Sequence, residues 1–106
     1  MFLFDAAGFG WYANDDAPEG GTTRSRLPAG HGLTPSEPGV YYLVISAWNR
    51  DPVSSGGLIF PTSPFDGVFG ATGPGGGSPI SGYGGSNSET GTYTISLTGA
   101  TYIPVK

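Results

Sequence analysis

Cysteine is absent from the 106 residues, which excludes disulfides, thiolate zinc sites and cysteine nucleophiles together. Histidine occurs once, at His31, between glycines in Ala29-Gly30-His31-Gly32, a setting that suits a solvated loop better than a catalytic base. Charge is scarce too. Four basic side chains stand against eight acidic ones, and a formal charge of −4 leaves no basic face for a nucleic acid. No apolar run approaches the roughly 20 residues that span a bilayer. Met1-Phe2-Leu3-Phe4 is apolar, but Asp5 follows at once, so no signal-peptide core of about 7–15 residues exists. The N-terminus therefore reads as a start that follows a lost leader or an upstream segment.

What is abundant points one way. Twenty glycines and ten prolines, without a three-residue period, argue against collagen and against long helices. Fourteen aromatic residues and low charge argue against a disordered chain. The expectation is a single small all-β domain over residues 1–106. Val40-Tyr41-Tyr42-Leu43-Val44-Ile45-Ser46 follows the turn signal Glu37-Pro38-Gly39 and is apolar on both faces, as a central strand would be. Thr92-Tyr93-Thr94-Ile95-Ser96-Leu97-Thr98 alternates without error, Tyr93, Ile95 and Leu97 on one face and hydroxyls on the other. Met1 to Asp5 and Tyr102 to Val105 are weaker strand candidates.

Between the strong strands, residues of about 51–89 form a Gly/Pro/Ser-rich insertion. Loops beyond about 15 residues are uncommon in compact domains. Leu58-Ile59-Phe60, Phe65, Val68-Phe69, Ile80 and Tyr83 predict an ordered, crossing loop pinned by apolar anchors, with Gly73 to Pro79 as its most flexible part. Two strong strands and a few weak ones make a thin core, given the ordering entropy of so many glycines. Upstream strands, a neighbouring subunit or a bound ion are expected to complete it.

Catalytic patterns are missing. No Gly-x-Ser-x-Gly elbow occurs, the Gly-rich tract lacks the Gly-Lys-Ser/Thr ending of a phosphate cradle, and Asp15-Asp16 are sequence neighbours rather than carboxylates across a cleft. The chain reads as a non-enzyme. Asp5, Asn14, Asp15 and Asp16 surround a glycine-bent segment and offer the hard oxygens that calcium takes, with Asp51 approaching from the end of the central strand. The same residue types equally make turns and cap loops. Trp11, Tyr12, Trp48 and Tyr83 could form a stacking platform for carbohydrate, or supply the core of a domain poor in aliphatics. Arg24, Arg26 and Arg50 are expected to pair with acids, Arg50-Asp51 lying beside the Asp15-Asp16 loop.

Phe2-Leu3-Phe4-Asp5, Asn14-Asp15-Asp16, the strand from Val40 to Asn49 and Gly91-Thr92-Tyr93-Thr94-Ile95-Ser96-Leu97 together resemble the bacterial pre-peptidase C-terminal (PPC) domain of exported surface proteins. The resemblance implies a jelly-roll-like β-sandwich with an extracellular or cell-surface location. It also implies an accessory role in adhesion or polysaccharide binding, often with calcium at the loops. Asp5, Asn14, Asp15 and Asp16 match as candidate calcium ligands. Two departures stand out: the family has further strands ahead of the one matching Met1 to Asp5, and the 51–89 insertion is longer than usual. Missing strands leave an open sheet edge, which recruits another strand. The leading expectation is thus a non-catalytic structural protein that self-associates through open β-edges into a homo-oligomer or filament. The alternative is a calcium-stabilised accessory module for carbohydrate or cell-surface components.

Overall fold

The computed structural model describes residues 1–103. Seven short strands follow in chain order: β1 (Phe2–Asp5), β2 (Gly10–Asn14), β3 (Tyr41–Val44), β4 (Asp51–Ser54), β5 (Gly57–Leu58), β6 (Val68–Gly70) and β7 (Gly82–Gly84). They form two antiparallel sheets, ordered β3-β1-β2-β6 and β5-β4-β7, with no helix among the described residues. The small all-β fold expected from composition is what the chain adopts, with its two sheets packed as a sandwich.

The first sheet grows from the β1–β2 hairpin. The carboxylate of Asp5 accepts hydrogen bonds from the amides of Ala7 (2.9 Å) and Phe9 (3.0 Å), an Asx-type turn that reverses the chain. Gly8 supplies the left-handed backbone, φ 89°, that this reversal needs. β1 then pairs with β3, Phe2 opposite Val44 and Phe4 opposite Tyr42. Directly opposed residues share a face, so Phe2, Phe4, Tyr42 and Val44 lie on the side towards the second sheet.

The core sits between the sheets. Phe4, Ala13, Ile59 and Phe60 are buried there, with Phe2, Val44, Ala71 and Ile80 packed around them. The Phe60 ring stacks on Phe2 at 5.8 Å and meets Phe4 edge-on at 5.9 Å. On the opposite face of the first sheet, the 27–34 loop lies over Tyr12. Its hydroxyl donates to Pro28 O at 3.3 Å, and the Leu33 side chain lies near Gly70.

Five sequence expectations change. β3 is an edge strand rather than a central one, because only β1 pairs with it. The inner face of this edge is incompletely covered, Tyr42 being 50% exposed although it lies on the side towards the second sheet. Residues 92–98 form no strand: alternation specifies two faces, but a strand also needs a neighbouring backbone, and none lies alongside. In the 51–89 insertion, Ile59 and Phe60 supply half of the buried cluster and four strands replace the crossing loop. Gly73 to Pro79 is tightly held rather than loose. The amides of Gly73 and Gly75 donate to Ile59 O and Leu58 O, and a Cβ at Gly73, Gly75 or Gly76 would collide with backbone. Of the weak C-terminal candidate, Tyr102 and Ile103 are not in a strand, while Pro104 and Val105 lie outside the described residues.

Candidate functional site: the open side between the two sheets

β3 ends the first sheet and β7 ends the second. Where these edges face one another the sandwich is open, as a groove of about 320 Å³ lined by Val44, Ile45, Ser46, Ala47, Arg50, Tyr83, Asn87 and Glu89. The chain leaving β7 closes one end, with Asn87 Nδ2 donating to Trp48 O at 2.8 Å and Asn87 Oδ1 accepting the Glu89 amide. The left-handed turn at Asn49 (φ 63°) and the Ser46 Oγ to Arg50 O bond of 2.6 Å reverse the chain between β3 and β4. That reversal delivers the Arg50 side chain to the groove.

Arg50 Nε is buried without a hydrogen-bond partner, a state that costs on the order of 1–3 kcal/mol. The ion pair expected between Arg50 and its acidic neighbours therefore does not form through this nitrogen. The ion pair that does form among the described residues joins Arg26 to Glu19 at 2.9 Å. This pairing holds the Glu19 carboxyl below the usual range. Burial pushes the Tyr83 hydroxyl up. The groove thus combines a wall of mixed polarity, an unused N–H donor and the uncovered edge of a strand.

The four proposed calcium ligands are not brought together. Asp5 stands at the turn end of the hairpin and Asn14 at the other, separated by four strand residues or about 13 Å. One ion with ligands at about 2.3–2.6 Å cannot reach both. Asp5 is occupied by its two turn amides. Asn14 is buried and saturated: Nδ2 donates to Asp16 O and Gly67 O, and Oδ1 accepts from the Arg26 amide at 2.8 Å. Both are held in structural roles. Asp15 and Asp51 both lie near the Met1 α-ammonium, which donates to Asn14 O at 2.9 Å. Burial holds both carboxyls above the usual range, and for Asp15 the Asp16 charge adds to the effect. Burial lowers the α-ammonium to about 6 despite those carboxylates. Asp16 and Asp66 share a second depression with Thr22 and Phe65. Among the described residues, no three acidic or histidine side chains gather around one point.

The four aromatics also separate. Tyr12 is 5% exposed beneath the 27–34 loop, so its ring is closed to stacking. Trp11, the extra residue of a bulge in β2, packs edge-on against Tyr41 at 5.8 Å. Trp48, 65% exposed, and Tyr83 remain beside the groove. His31 is engaged within its own turn, where Nδ1 accepts the Leu33 amide at 3.0 Å. Sequence reasoning did not single out Asn87 or Glu89, and no local signal marks them; they matter only because the strand edges meet there. A scan of protein-family models and searches of curated proteins and of solved structures match nothing to this chain. The likeness to PPC domains therefore stands on its short motifs alone.

Proposed function

We propose that this chain is a non-catalytic structural protein whose copies associate through the open edge of β3 into an oligomer or filament. The observation that carries this reading is an unguarded edge. Folded proteins blunt edge strands with Pro, Lys or inward charges. From Val40 to Ala47 there is neither a proline nor a charged residue. No backbone hydrogen bond joins residues 41–46 to any described segment other than β1. Placement outside the cell rests on the PPC resemblance alone. The test is absolute mass by light scattering after size exclusion across a range of concentrations. A mass that grows above 10.8 kDa with concentration is the expected result. A constant 10.8 kDa species throughout refutes it.

A second reading, the calcium-stabilised module for carbohydrate, is favoured by Trp48 and Tyr83 beside the groove and by the Asp16–Asp66 depression. Quenching or enhancement of Trp48 fluorescence by soluble polysaccharide, sensitive to chelator, supports that reading. No change with any glycan tested counts against it.

A further inference from the structure

We infer that residues 92–98 of one copy add as a strand to the β3 edge of a second copy, with Tyr93, Ile95 and Leu97 facing into the groove. This inference rests on the self-association reading and names the segment that performs it.

Donor and acceptor are each incomplete in a single copy. Residues 92–98 have the pattern of a half-buried strand, yet Tyr93 is 69% exposed and Leu97 43% exposed. No hydrogen bond among the described residues involves the chain from Thr90 to Ile103. Water satisfies such a backbone, but Tyr93 and Leu97 stay exposed and Ile95 is only half-buried, and their burial is the gain that pairing offers. At the edge, the outward N–H and C=O groups of Tyr41 to Val44 have no partner strand, and the groove beneath them leads to the core-side residues Phe2 and Val44.

The two surfaces match in three respects. Seven residues of donor cover the four of β3 with overhang onto Ile45 to Ala47, which line the groove. The donor face with Tyr93, Ile95 and Leu97 meets the apolar part of the groove, Val44, Ile45, Ala47 and Tyr83, while the Thr and Ser face turns to solvent, as one-sided burial requires. Neither strand carries charge: residues 90–103 and 40–47 contain no Asp, Glu, Lys or Arg, so no like-charge repulsion opposes their pairing, and the charges of the groove are Arg50 and Glu89. Arg50 Nε, without a partner in one copy, lies where a carbonyl of the incoming strand can accept from it. The donor and the edge are different surfaces of one chain, so the contact is head-to-tail and repeats from copy to copy.

Full-length Ile95→Asp and Thr94→Asp test this together, because they place the same charge on opposite faces of one segment. Both positions lie outside the buried cluster, Thr94 exposed and Ile95 half-buried, and an unchanged urea midpoint of the dilute variants checks that the fold of a single copy is kept. Ile95→Asp is expected to weaken association by about 100-fold or more, through the lost burial and a charge forced into the apolar part of the groove. Thr94→Asp is expected to leave it within a few-fold. Hydrogen exchange of the wild-type chain should show protection at 41–44 and 92–98 rising together with concentration. Three results overturn the inference. If the wild-type chain assembles and both variants assemble equally, self-association survives and the donor segment is wrong. If protection at 92–98 is present and independent of concentration, the segment folds back on its own chain. If the wild-type chain is monomeric throughout, the underlying reading of self-association falls as well.

Discussion

Gly75→Ala is the substitution most sensitive to whether the glycine-rich tract is packed structure or linker. Gly75 is buried beneath the β4–β5 hairpin, its amide donating to Leu58 O at 2.8 Å and its carbonyl accepting from Ser54 Oγ at 2.6 Å. A Cβ there would run into Gly57 O and stand 2.8 Å from Gly57 C. Both are backbone atoms that no rotamer change can move. Opening the space must displace the tract from the hairpin, with overpacking of about 1–3 kcal/mol. The Ser54 hydroxyl, buried and left without its acceptor, adds about 1–3 kcal/mol. The lower entropy of the unfolded alanine chain returns about 0.4–1 kcal/mol. The net expectation is a loss of about 2–4 kcal/mol. Gly77→Ala is the matched control, because a Cβ there meets nothing within 4 Å and its backbone is not left-handed. It should be neutral or stabilise by up to about 1 kcal/mol. Urea unfolding followed by tryptophan fluorescence separates the two. With a slope of about 1–1.5 kcal/mol/M for a domain of this size, the Gly75→Ala midpoint should drop by about 2 M. Equal midpoints for the two variants would refute the packed tract.

Ile59, fully buried between the sheets, should lose about 3–4 kcal/mol on change to Ala, read as a lower urea midpoint; a loss below about 1 kcal/mol would mean the sheets do not pack on it. Asn14→Ala leaves Asp16 O, Gly67 O and the Arg26 amide without their partner and should cost about 2–4 kcal/mol, whereas a calcium-ligand role would instead make the loss depend on added calcium. Stability against pH should pass through a minimum. Asp15 and Asp51 have raised folded-state values, so stability falls as pH rises from about 4 through those values. The α-ammonium is lowered from 8.0 to about 6, so stability returns as pH rises from about 6 to 8. Urea midpoints at half-unit pH steps check this, and acetylation of the α-amine should remove the upper recovery; a curve with no minimum contradicts it.

Composition and pattern alone determined the class of this protein. Glycine and proline argue against long helices, aromatics supply a core, and the apolar Met1 to Asp5 stretch offers β1 as a weaker candidate, because these are local properties of φ/ψ space and side-chain placement. The apolar anchors Ile59 and Phe60 were also legible as core. Which strand becomes an edge was not. Val40 to Ser46 has the composition of a central strand, but position in a sheet depends on how many neighbours arrive, and only β1 does. The oxygen-rich residues from Asp5 to Asp16 are close in sequence, yet the hairpin directs them to opposite ends, so a local cluster became two separate structural roles. The glycine-rich tract shows the converse. Its composition suggests mobility, while its missing side chains are what allow Gly73, Gly75 and Gly76 to lie directly against backbone. The groove is decided entirely by tertiary structure. Val44, Arg50, Tyr83 and Glu89 are spread along the chain and converge because the edges of two sheets end on the same side. Hydrogen-bond partners and sheet neighbours are long-range quantities, and no window of sequence contains them.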